Sequence, residues 1–252
     1  MTAPTQLPAI EDCWFYHQMD IPNVGTVSAP NGWDLRGRFD DYVACIPVAG
    51  KTLLDVGTAG GFLTFEAEQR GASVTSFDVA SAGQIESINP PIAVNPALDT
   101  HKTNELRMMR NAYWFAHHHF GSRAKAVYGD IYKLPAHVQP HDIVLIGQVL
   151  VHLQNPLEAI RQASFVAKET LIITEGSYNS HNPSAVFLGA GGAGVIYGFW
   201  HLSDQIYKAW LDRLGFEVVT ISPQKYRCNV PTMERDVDVW TFVAERRTPL
   251  GP

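Results

Sequence analysis

The sequence of 252 residues predicts a doubly wound α/β fold built on a seven-stranded, mostly parallel sheet. Three observations predict this fold. Strand-like apolar runs alternate with amphipathic helical stretches, several of these runs are continuous in Val, Ile and Leu, and the first run ends in a glycine-rich turn. Continuous apolar runs are typical of parallel strands that helices cover on both faces. We expect residues 51–252 to form the α/β domain and residues 1–50 an N-terminal extension that acts as a lid.

The predicted elements follow one another along the chain. Strands are expected at residues 53–56, 73–78, 124–130, 141–150, 169–176, 216–222 and 236–245. Helices are expected from residue 62 onward and at residues 104–120, 154–163 and 203–214. Residues 79–103 and 177–202 interrupt this rhythm, and loops of that length in a compact domain are usually functional lids or disordered segments.

Capping residues mark the ends of two of these helices. Asn155 is expected as an N-cap, with Pro156 at the first helical position and Glu158 placed to complete a capping box. Ser203 predicts the start of the next helix, and Gly215 predicts its C-cap.

Composition and charge exclude several classes of protein. Hydrophobic residues make up 46% and charged residues 17%, which is typical of a soluble globular domain. The sequence contains no apolar run near the ~18 residues of a membrane span and no recognisable signal peptide. Cys13, Cys45 and Cys228 are odd in number and widely spaced, so we expect free thiols and a cytoplasmic location. The net charge of −6 argues against bulk attraction to nucleic acid or anionic lipid.

The first strand leads into a glycine-rich turn, LLDVGTAGGF at residues 53–62, which is typical of backbone wrapped around a ligand. A nicotinamide dinucleotide site would show G-x-G-x-x-G, and this order breaks that pattern. Asp55 lies inside the strand end, which the dinucleotide fingerprint does not require. Ala59 stands where a glycine is usual, and an alanine is tolerable there if the backbone has a negative φ.

Acidic residues end the next two strands. Asp78 lies 21 residues after Gly57, where an acid can accept hydrogen bonds from two ribose hydroxyls. Asp130 ends the third strand. Each acid could instead cap a helix or lie in a solvated loop, but together with Asp55 they meet at the carboxyl edge of one sheet. This convergence predicts a site for a nucleoside-containing ligand.

The arrangement of two hydrophobic residues followed by Asp55, Val56 and Gly57 resembles the first motif of class I S-adenosylmethionine (SAM) methyltransferases. The resemblance extends over residues 14–222, with residues 79–103 poorly matched. Three stretches carry it: WFYHQMDIP with NGWDLRGRFD (14–22 and 31–40), IGQVLVHLQNPLEAIRQ (146–162), and GFWHLSDQIYKAWLDRLGFEVV (198–219). They are similar to a subfamily that contains the bacterial tRNA wobble-uridine carboxymethyltransferase and many natural-product methyltransferases.

The resemblance implies a Rossmann-like fold, SAM as cofactor, and an acid at Asp130 beside the adenine amino group. The residues expected to bind the cofactor are Trp33, Arg36, Asp55, Gly57, Thr58, Ala59, Gly60, Asp78, Asp130, Ile131 and Gln148. Arg36 could hold the methionine carboxylate of SAM or pair with Asp34 or Asp40.

The acceptor is expected to be a small molecule, namely a secondary metabolite that is methylated on an oxygen or nitrogen atom. In the tRNA enzyme, basic residues hold the extra carboxylate of carboxy-SAM, whereas this chain has no Lys or Arg between residues 169 and 207 and no Lys between Cys13 and Trp33. Modification of tRNA wobble uridine is the alternative, and a non-catalytic SAM- or NAD-binding module is the third hypothesis. The sequence is compatible with a homodimer.

Catalysis requires alignment of the acceptor with the activated methyl group of SAM, because that group needs no further activation. A hydroxyl acceptor also needs a base, and histidine is suited to that role. His17 in the predicted lid and His152 after the fourth strand are the candidates, and Tyr16 is a third catalytic candidate. His152 could equally pack the turn between strand and helix. The lid is expected to cover the carboxyl edge of the sheet and exclude water.

Two further clusters and one glycine-rich stretch are candidates for a site. His117, His118 and His119 are consecutive on a predicted helix and point in three directions, so no metal site is predicted. Five aromatic residues are expected to line a pocket for an apolar or aromatic acceptor, with core packing as the alternative: Trp14, Tyr16, Trp33, Phe199 and Trp200. The stretch GAGGAG at residues 189–194 lacks the Lys and Ser/Thr of a phosphate loop.

Overall fold

The computed structural model describes residues 4–29, 32–87, 96–136, 138–189, 197–230 and 233–248. Most of the GAGGAG stretch therefore lies outside the described residues, as does the proline-rich part of the predicted loop at residues 88–95.

The secondary structure alternates between strands and helices through most of the chain. The strands are β1 (Met19–Ile21), β2 (Gly25–Val27), β3 (Trp33–Asp34), β4 (Thr52–Val56), β5 (Ser73–Val79), β6 (Lys125–Gly129), β7 (His141–Gly147), β8 (Ala167–Glu175), β9 (Ser177–Tyr178), β10 (Ala185–Phe187), β11 (Trp200–Ser203), β12 (Phe216–Val230) and β13 (Met233–Arg246). The α-helices are α1 (Phe39–Tyr42), α2 (Phe62–Gln69), α3 (Pro96–His119), α4 (Pro156–Val166) and α5 (Asp204–Arg213). Short 3₁₀ helices lie at Ile10–Asp12, Ala82–Gln84, Ile131–Ala136 and Leu150–His152.

The central sheet has the strand order β3-β12-β13-β8-β7-β4-β5-β6. Strands β8, β7, β4, β5 and β6 are parallel, whereas β13 runs antiparallel to β8 and β12 antiparallel to β13. The doubly wound, mostly parallel α/β prediction is confirmed. All seven predicted strands are present, and the two-residue strand β3 of the N-terminal extension adds an eighth at the antiparallel edge.

The order of the strands reverses at β4, which lies between β5 and β7. In an open α/β sheet, this switch point leaves a crevice at the carboxyl ends of the strands, because the two connections depart to opposite sides. The crevice here is bordered by the turns that follow β4, β5, β6 and β7.

Some predicted boundaries are wrong. Helix α3 begins at Pro96 and not at residue 104, so the end of the predicted loop 79–103 is helical. A proline is tolerated in the first helical turn, where its missing N–H has no partner to bond. The predicted loop 177–202 is in part a three-stranded sheet of order β10-β11-β9, since its short strands pair with one another.

The capping predictions have mixed outcomes. Asn155 accepts a hydrogen bond from the Glu158 N–H at 3.3 Å, as predicted, but the Glu158 carboxylate bonds Arg161 and does not complete the capping box. Ser203 precedes α5 without a side-chain cap, because its hydroxyl accepts a hydrogen bond from the Ser184 N–H. Gly215 has φ +83° and ends α5 as predicted.

Both faces of the sheet are buried. Neighbouring residues of one strand point to opposite faces, so Leu53 and Leu54 belong to two different cores. The first core contains residues of α2, α3 and the N-terminal extension, including Phe15 and Phe39. The second contains residues of α4 and α5, including Ile160. Within the described ranges, no helix is long and apolar enough to cross a membrane.

Gly61 provides a test of packing between the turn and α3. A Cβ on Gly61 would lie 2.5 Å from Phe65 and 2.8 Å from Tyr113, and the backbone has φ +88°. Gly121 also has positive φ (+59°) but has nothing within 4 Å of such a Cβ. We expect Gly61→Ala to lower the free energy of unfolding by about 2–4 kcal/mol and Gly121→Ala by about 1 kcal/mol, because only the former adds a clash to the backbone strain. Urea denaturation of both variants measures the difference, and equal losses would contradict this packing.

Candidate functional site

The glycine-rich turn after β4 is held by main-chain bonds to β5. The N–H groups of Gly57 and Thr58 both donate to the Phe77 carbonyl, at 2.8 and 3.1 Å. The Ala59 N–H donates to Asp78 Oδ2 at 2.8 Å. The condition of a negative φ at Ala59 is not met, because its φ is +49°. The bond to Asp78 offsets the cost of this left-handed conformation in a residue that carries a Cβ.

Gly57 and Gly60 mark two contacts of the turn, and the first of them requires a glycine. A Cβ on Gly57 would lie 2.3 Å from Val149 Cγ2, so glycine lets the turns after β4 and β7 touch. A Cβ on Gly60 would lie 3.4 Å from Met19 Cε and 3.9 Å from the Tyr16 nitrogen. The N-terminal extension therefore packs directly on the glycine-rich turn.

Asp55 braces the turn from inside the protein. Only 1% of its surface is exposed, and its Oδ2 accepts hydrogen bonds from the hydroxyls of Thr58 at 2.8 Å and Thr64 at 2.7 Å. Its Oδ1 is buried and has no hydrogen-bond partner among the described residues. Burial raises the pKa of Asp55 to about 6, although both hydroxyls favour the ionised form.

Asp78 is oriented by the main chain. Its Oδ2 accepts the Ala59 N–H, and its Oδ1 accepts the Val79 N–H at 2.7 Å. Burial raises the pKa of this carboxyl, while the nearby guanidinium of Arg110 acts in the opposite direction. A carboxylate has about four lone-pair sites, so two remain for a ligand.

A cavity of about 280 Å³ opens at the carboxyl ends of β4, β5 and β6. It brings together four of the residues predicted to bind the cofactor: Gly57, Asp78, Asp130 and Ile131. Its other walls include apolar side chains on either side of the crevice, namely Phe77, Val149 and Leu153. Asp130 accepts the Tyr132 N–H at 2.9 Å, which fixes its carboxylate at the end of β6. Apolar walls with a few fixed polar groups suit a flat heterocycle joined to a sugar.

The N-terminal extension contains two of the residues predicted to bind the cofactor, Trp33 and Arg36. Trp33 is buried, and its main-chain N–H donates to the Tyr16 carbonyl at 3.0 Å. Arg36 donates two hydrogen bonds of 2.9 Å to the Asp34 carboxylate and a third, of 3.0 Å, to Asp20. The sequence left a pair with Asp34 or Asp40 as the alternative for Arg36. The structure contains the pair with Asp34, and the second carboxylate that Arg36 bonds is that of Asp20 and not of Asp40.

His17 is a buried, neutral imidazole. Its exposed fraction is 8%, and its ring stacks on Phe62 at 5.5 Å, where α2 begins after the glycine-rich turn. Burial lowers the pKa of His17 to about 4. Its Nδ1 is buried without a hydrogen-bond partner in the described part of the chain. Tyr16 packs edge-on against it at 5.2 Å, and burial raises the pKa of this phenol.

His152 lies in different surroundings. It ends the 3₁₀ helix Leu150–His152 after β7, its side chain is exposed, and its Nδ1 lies 2.8 Å from the Tyr197 carbonyl oxygen. The structure therefore separates the two predicted bases by environment: one is enclosed beneath the N-terminal extension, and the other faces solvent.

Gln148 follows β7 in a strained conformation. Its φ is +55°, and its N–H donates to the Thr174 carbonyl at 2.8 Å. The side-chain Nε2 is buried without a hydrogen-bond partner among the residues that the structure describes. A buried amide donor in that state is costly unless a ligand bonds it.

Glu175 was missed by the sequence reasoning. It ends β8 with 1% of its surface exposed, and its Oε1 accepts the Leu150 N–H at 2.6 Å. Burial raises the pKa of Glu175 to about 8, against the effect of the N–H groups of Leu150, Val149, Val151 and Gly176. The rule that identified Asp78, an acid at the end of a predicted strand, would also have identified Glu175.

The three consecutive histidines and two of the five predicted pocket aromatics make contacts within the protein. His117 Nε2 lies 3.1 Å from the Ala124 carbonyl oxygen, whereas the ring centroids of His119 and Phe115 are 4.5 Å apart. No group of three or more His, Cys, Asp or Glu side chains in the described ranges is placed to hold a metal. Trp33 and Phe199 are core residues, which is the alternative to a pocket lining that the sequence left open.

Comparison with known proteins addresses the fold. No protein-family model matches the sequence, and no curated protein matches it. Among solved structures, 1,6-didemethyltoxoflavin-N1-methyltransferase of Burkholderia thailandensis, with bound 1,6-didemethyltoxoflavin and S-adenosylhomocysteine, is similar with a TM-score of 0.53 at 13% identity, over 85% of this chain and 78% of that one. Magnesium protoporphyrin IX methyltransferase of Synechocystis PCC 6803, with bound SAM, has a TM-score of 0.51 at 16% identity, over 82% and 76%.

A third similar structure comes from work on the conversion of a disulfide bond into a thioacetal group during echinomycin biosynthesis. Its TM-score is 0.55 at 14% identity, over 89% of each chain. At these identities the likeness shows the fold alone. The chain has the Rossmann-like fold of class I SAM-dependent methyltransferases.

Asp55 predicts how stability depends on pH. Since burial raises the pKa of Asp55 from 3.8 to about 6, the folded protein holds this proton more tightly than the unfolded chain does. The stability contributed by the protonated carboxyl is complete below pH 3.8 and is lost as the pH rises through about 6. We expect the free energy of unfolding of the wild type to fall by about 2–3 kcal/mol over this range, because of this group alone. Asp55→Asn should not show this fall. Urea denaturation at each pH measures both proteins.

Asp142 is the matched control for this measurement. The Thr52 N–H and hydroxyl bond its carboxylate and hold its pKa below the usual range, so its contribution has the opposite sign. Asp142→Asn should lower the free energy of unfolding at neutral pH, and this difference from the wild type should disappear in acid. Equal pH slopes for the wild-type protein and Asp55→Asn would contradict the account of Asp55.

Proposed function

We propose that the protein is a SAM-dependent methyltransferase that acts on an oxygen or nitrogen atom of a small-molecule acceptor. The observation that carries the proposal is the cavity in which Asp78, Asp130 and Gly57 meet at the carboxyl edge of the sheet. The fold supports it, because similar structures carry SAM or S-adenosylhomocysteine.

The residues present fit the adenosine half of SAM. Asp78 would accept hydrogen bonds from the ribose hydroxyls with the lone pairs that the Ala59 and Val79 N–H groups leave free. Asp130 would accept a hydrogen bond from the adenine amino group, and Ile131 would pack on the ring. These roles use groups that already line the cavity.

The methionine half would lie along the glycine-rich turn. We propose Gly57, Thr58, Ala59 and Gly60 as its main-chain contacts, and Gln148 as a donor, since its buried Nε2 has no other partner among the described residues. Asp55 would act indirectly by bracing the turn through Thr58. Trp33 and Arg36 remain proposed contacts, although Arg36 already bonds two carboxylates.

SAM, when bound, supplies a methyl group that its sulfonium already activates. The chain has to align the acceptor, keep water out and receive a proton where the acceptor carries one. We propose that residues 1–50 serve as the cover, because the segment around Tyr16 and Met19 packs on Gly60. The domain division at residue 50 is part of this proposal.

His17 is the better-supported of the two proposed bases. It lies beneath the cover next to Phe62, and its low pKa keeps the imidazole neutral at pH 7, ready to accept a hydrogen bond from an acceptor. A base of this strength would take a proton that becomes acidic as the methyl group arrives. His152 faces solvent and already bonds the Tyr197 carbonyl. Tyr16 would act as a neutral donor, since burial raises its pKa.

The acceptor is proposed as a small apolar or aromatic molecule, with a secondary metabolite as the leading candidate. The absence of Lys and Arg between residues 169 and 207 supports it, as does the net charge of −6. The subfamily resemblance leaves tRNA as the alternative acceptor. A gel shift with tRNA whose affinity falls steeply with salt would favour that alternative.

The first test of the proposal is cofactor binding. We expect S-adenosylhomocysteine to bind in calorimetry and NAD not to bind. Asp78→Ala should weaken S-adenosylhomocysteine about 10- to 150-fold, because the ribose hydroxyls lose a charged acceptor. Asp142→Ala is the matched control. Asp142 also accepts a main-chain N–H, from Thr52, but it lies at the amino ends of the parallel strands, away from the cavity.

Two outcomes of this titration would overturn the proposal. Tight NAD binding without S-adenosylhomocysteine binding would favour a nicotinamide-binding module. Equal affinities in folded Asp78→Ala and Asp142→Ala would show that Asp78 neither bonds the ribose nor holds the turn in a conformation that binding requires.

The second test separates the two histidines. His17→Phe preserves the stack on Phe62, so S-adenosylhomocysteine affinity should change little while methyl transfer falls at least about tenfold. His152→Phe should retain most of the transfer. Because the pKa of His17 is about 4, we expect no acidic loss of wild-type kcat from this group between pH 5 and 8. Normal transfer by His17→Phe would make His17 structural and leave His152 as the candidate base.

A further inference from the structure

A short strap forms the outer wall of the cavity. It comprises residues 81–87, immediately after β5, and contributes Gly83, Gln84 and Glu86 to the lining. Gln84 Oε1 accepts the N–H groups of Ala80 at 2.6 Å and Ser81 at 3.2 Å, which fixes the start of the strap. A ligand in the cavity would lie between this strap and the loops after β6 and β7.

Helix α3 fixes the far end of the strap. The ammonium group of Lys102, a buried side chain, donates to the Ile85 carbonyl at 3.0 Å and to the Ser87 hydroxyl at 2.6 Å. These bonds hold the strap from the side of α3. They do not connect it to the wall across the cavity.

Glu86 makes the connection across the cavity. Its Oε1 accepts a hydrogen bond from the Tyr132 hydroxyl at 2.9 Å, and its Oε2 accepts the Gln154 N–H. Tyr132 follows β6, and Gln154 follows β7. The Tyr132 hydroxyl also accepts the Asn155 N–H at 3.3 Å. One carboxylate thus joins the loops after β5, β6 and β7, and spans the position of β4, which lies between β7 and β5 in the sheet.

The groups that meet Glu86 are themselves fixed. Burial raises the pKa of the Tyr132 phenol, and the neighbouring Glu86 adds to the rise, so the hydroxyl stays a neutral donor. The Gln154 carbonyl accepts the Trp200 indole N–H at 3.1 Å, which holds the peptide that follows the one donating to Glu86. The connection is therefore built from both sides, with charge-assisted bonds, which are stronger than neutral ones.

We propose that Glu86 is a positioning residue that latches the strap over the cofactor cavity through Tyr132 and Gln154, and that this latch sets how long the adenosine moiety stays bound. The inference rests on the proposed function for the identity of the ligand. A nucleoside held between the strap and the opposite loops would leave more readily if these walls parted, and the Glu86 bonds oppose that movement. Without the latch, both the entry and the exit of the cofactor product become faster.

The test measures the release of S-adenosylhomocysteine by surface plasmon resonance from the full chain. Glu86→Ala should raise the dissociation rate constant about tenfold or more, because both bonds across the cavity are lost. Glu86→Gln keeps an acceptor for Gln154 and should recover most of the slow release. Glu169→Ala is the matched control: this carboxylate bonds Lys51 at 2.6 Å at the opposite edge of the sheet, and its loss should leave release unchanged.

A double-mutant cycle distinguishes a latch from a general loss of structure. Tyr132→Phe should also speed release, and adding it to Glu86→Ala should produce little further change, since both remove the same connection. Unchanged release in Glu86→Ala, or independent effects of the two substitutions, would overturn the latch. If wild-type protein does not bind S-adenosylhomocysteine, the proposed function and the latch fall together; if wild type binds it, the variants judge the latch alone.

Discussion

The hydrogen bond from the Ala59 N–H to Asp78 Oδ2, 2.8 Å long, is the interaction on which the site depends. It ties the turn after β4 to the end of β5 and holds Ala59 at φ +49°, a conformation that costs energy in any residue with a Cβ. The same bond aims the Asp78 carboxylate along the cavity wall. The geometry of the turn and the carboxylate proposed to bind the ribose are therefore fixed together.

Buried acids fill two different roles around this bond. Asp55 and Glu175 point inward, bond hydroxyls or main-chain N–H groups, and have pKa values raised by burial. They brace the turns after β4 and β7. Asp78 and Asp130 also bond main-chain N–H groups, but they face the cavity. The direction of each side chain at its strand end decides which carboxylates can meet a ligand and which support the backbone.

The parallel strands and the acids at their ends follow from local pattern, so the sequence predicts them. Runs of Val, Ile and Leu mark the inner strands such as β7 and β8, and Asp78 and Asp130 lie at the ends of two shorter predicted strands. What depends on contacts between distant segments was not predictable. The conformation of Ala59 requires Asp78, the second partner of Arg36 is Asp20 on β1, and the place of Glu86 across the cavity appears only when three loops come together.

A crystal structure of the protein with S-adenosylhomocysteine tests the central claim most directly. The account predicts the ribose hydroxyls within hydrogen-bond distance of Asp78, the adenine amino group at Asp130, and the bond between Ala59 and Asp78 intact. A nucleoside bound outside this cavity would contradict it. So would an Asp78 carboxylate that bonds only the main chain while the ribose meets other residues.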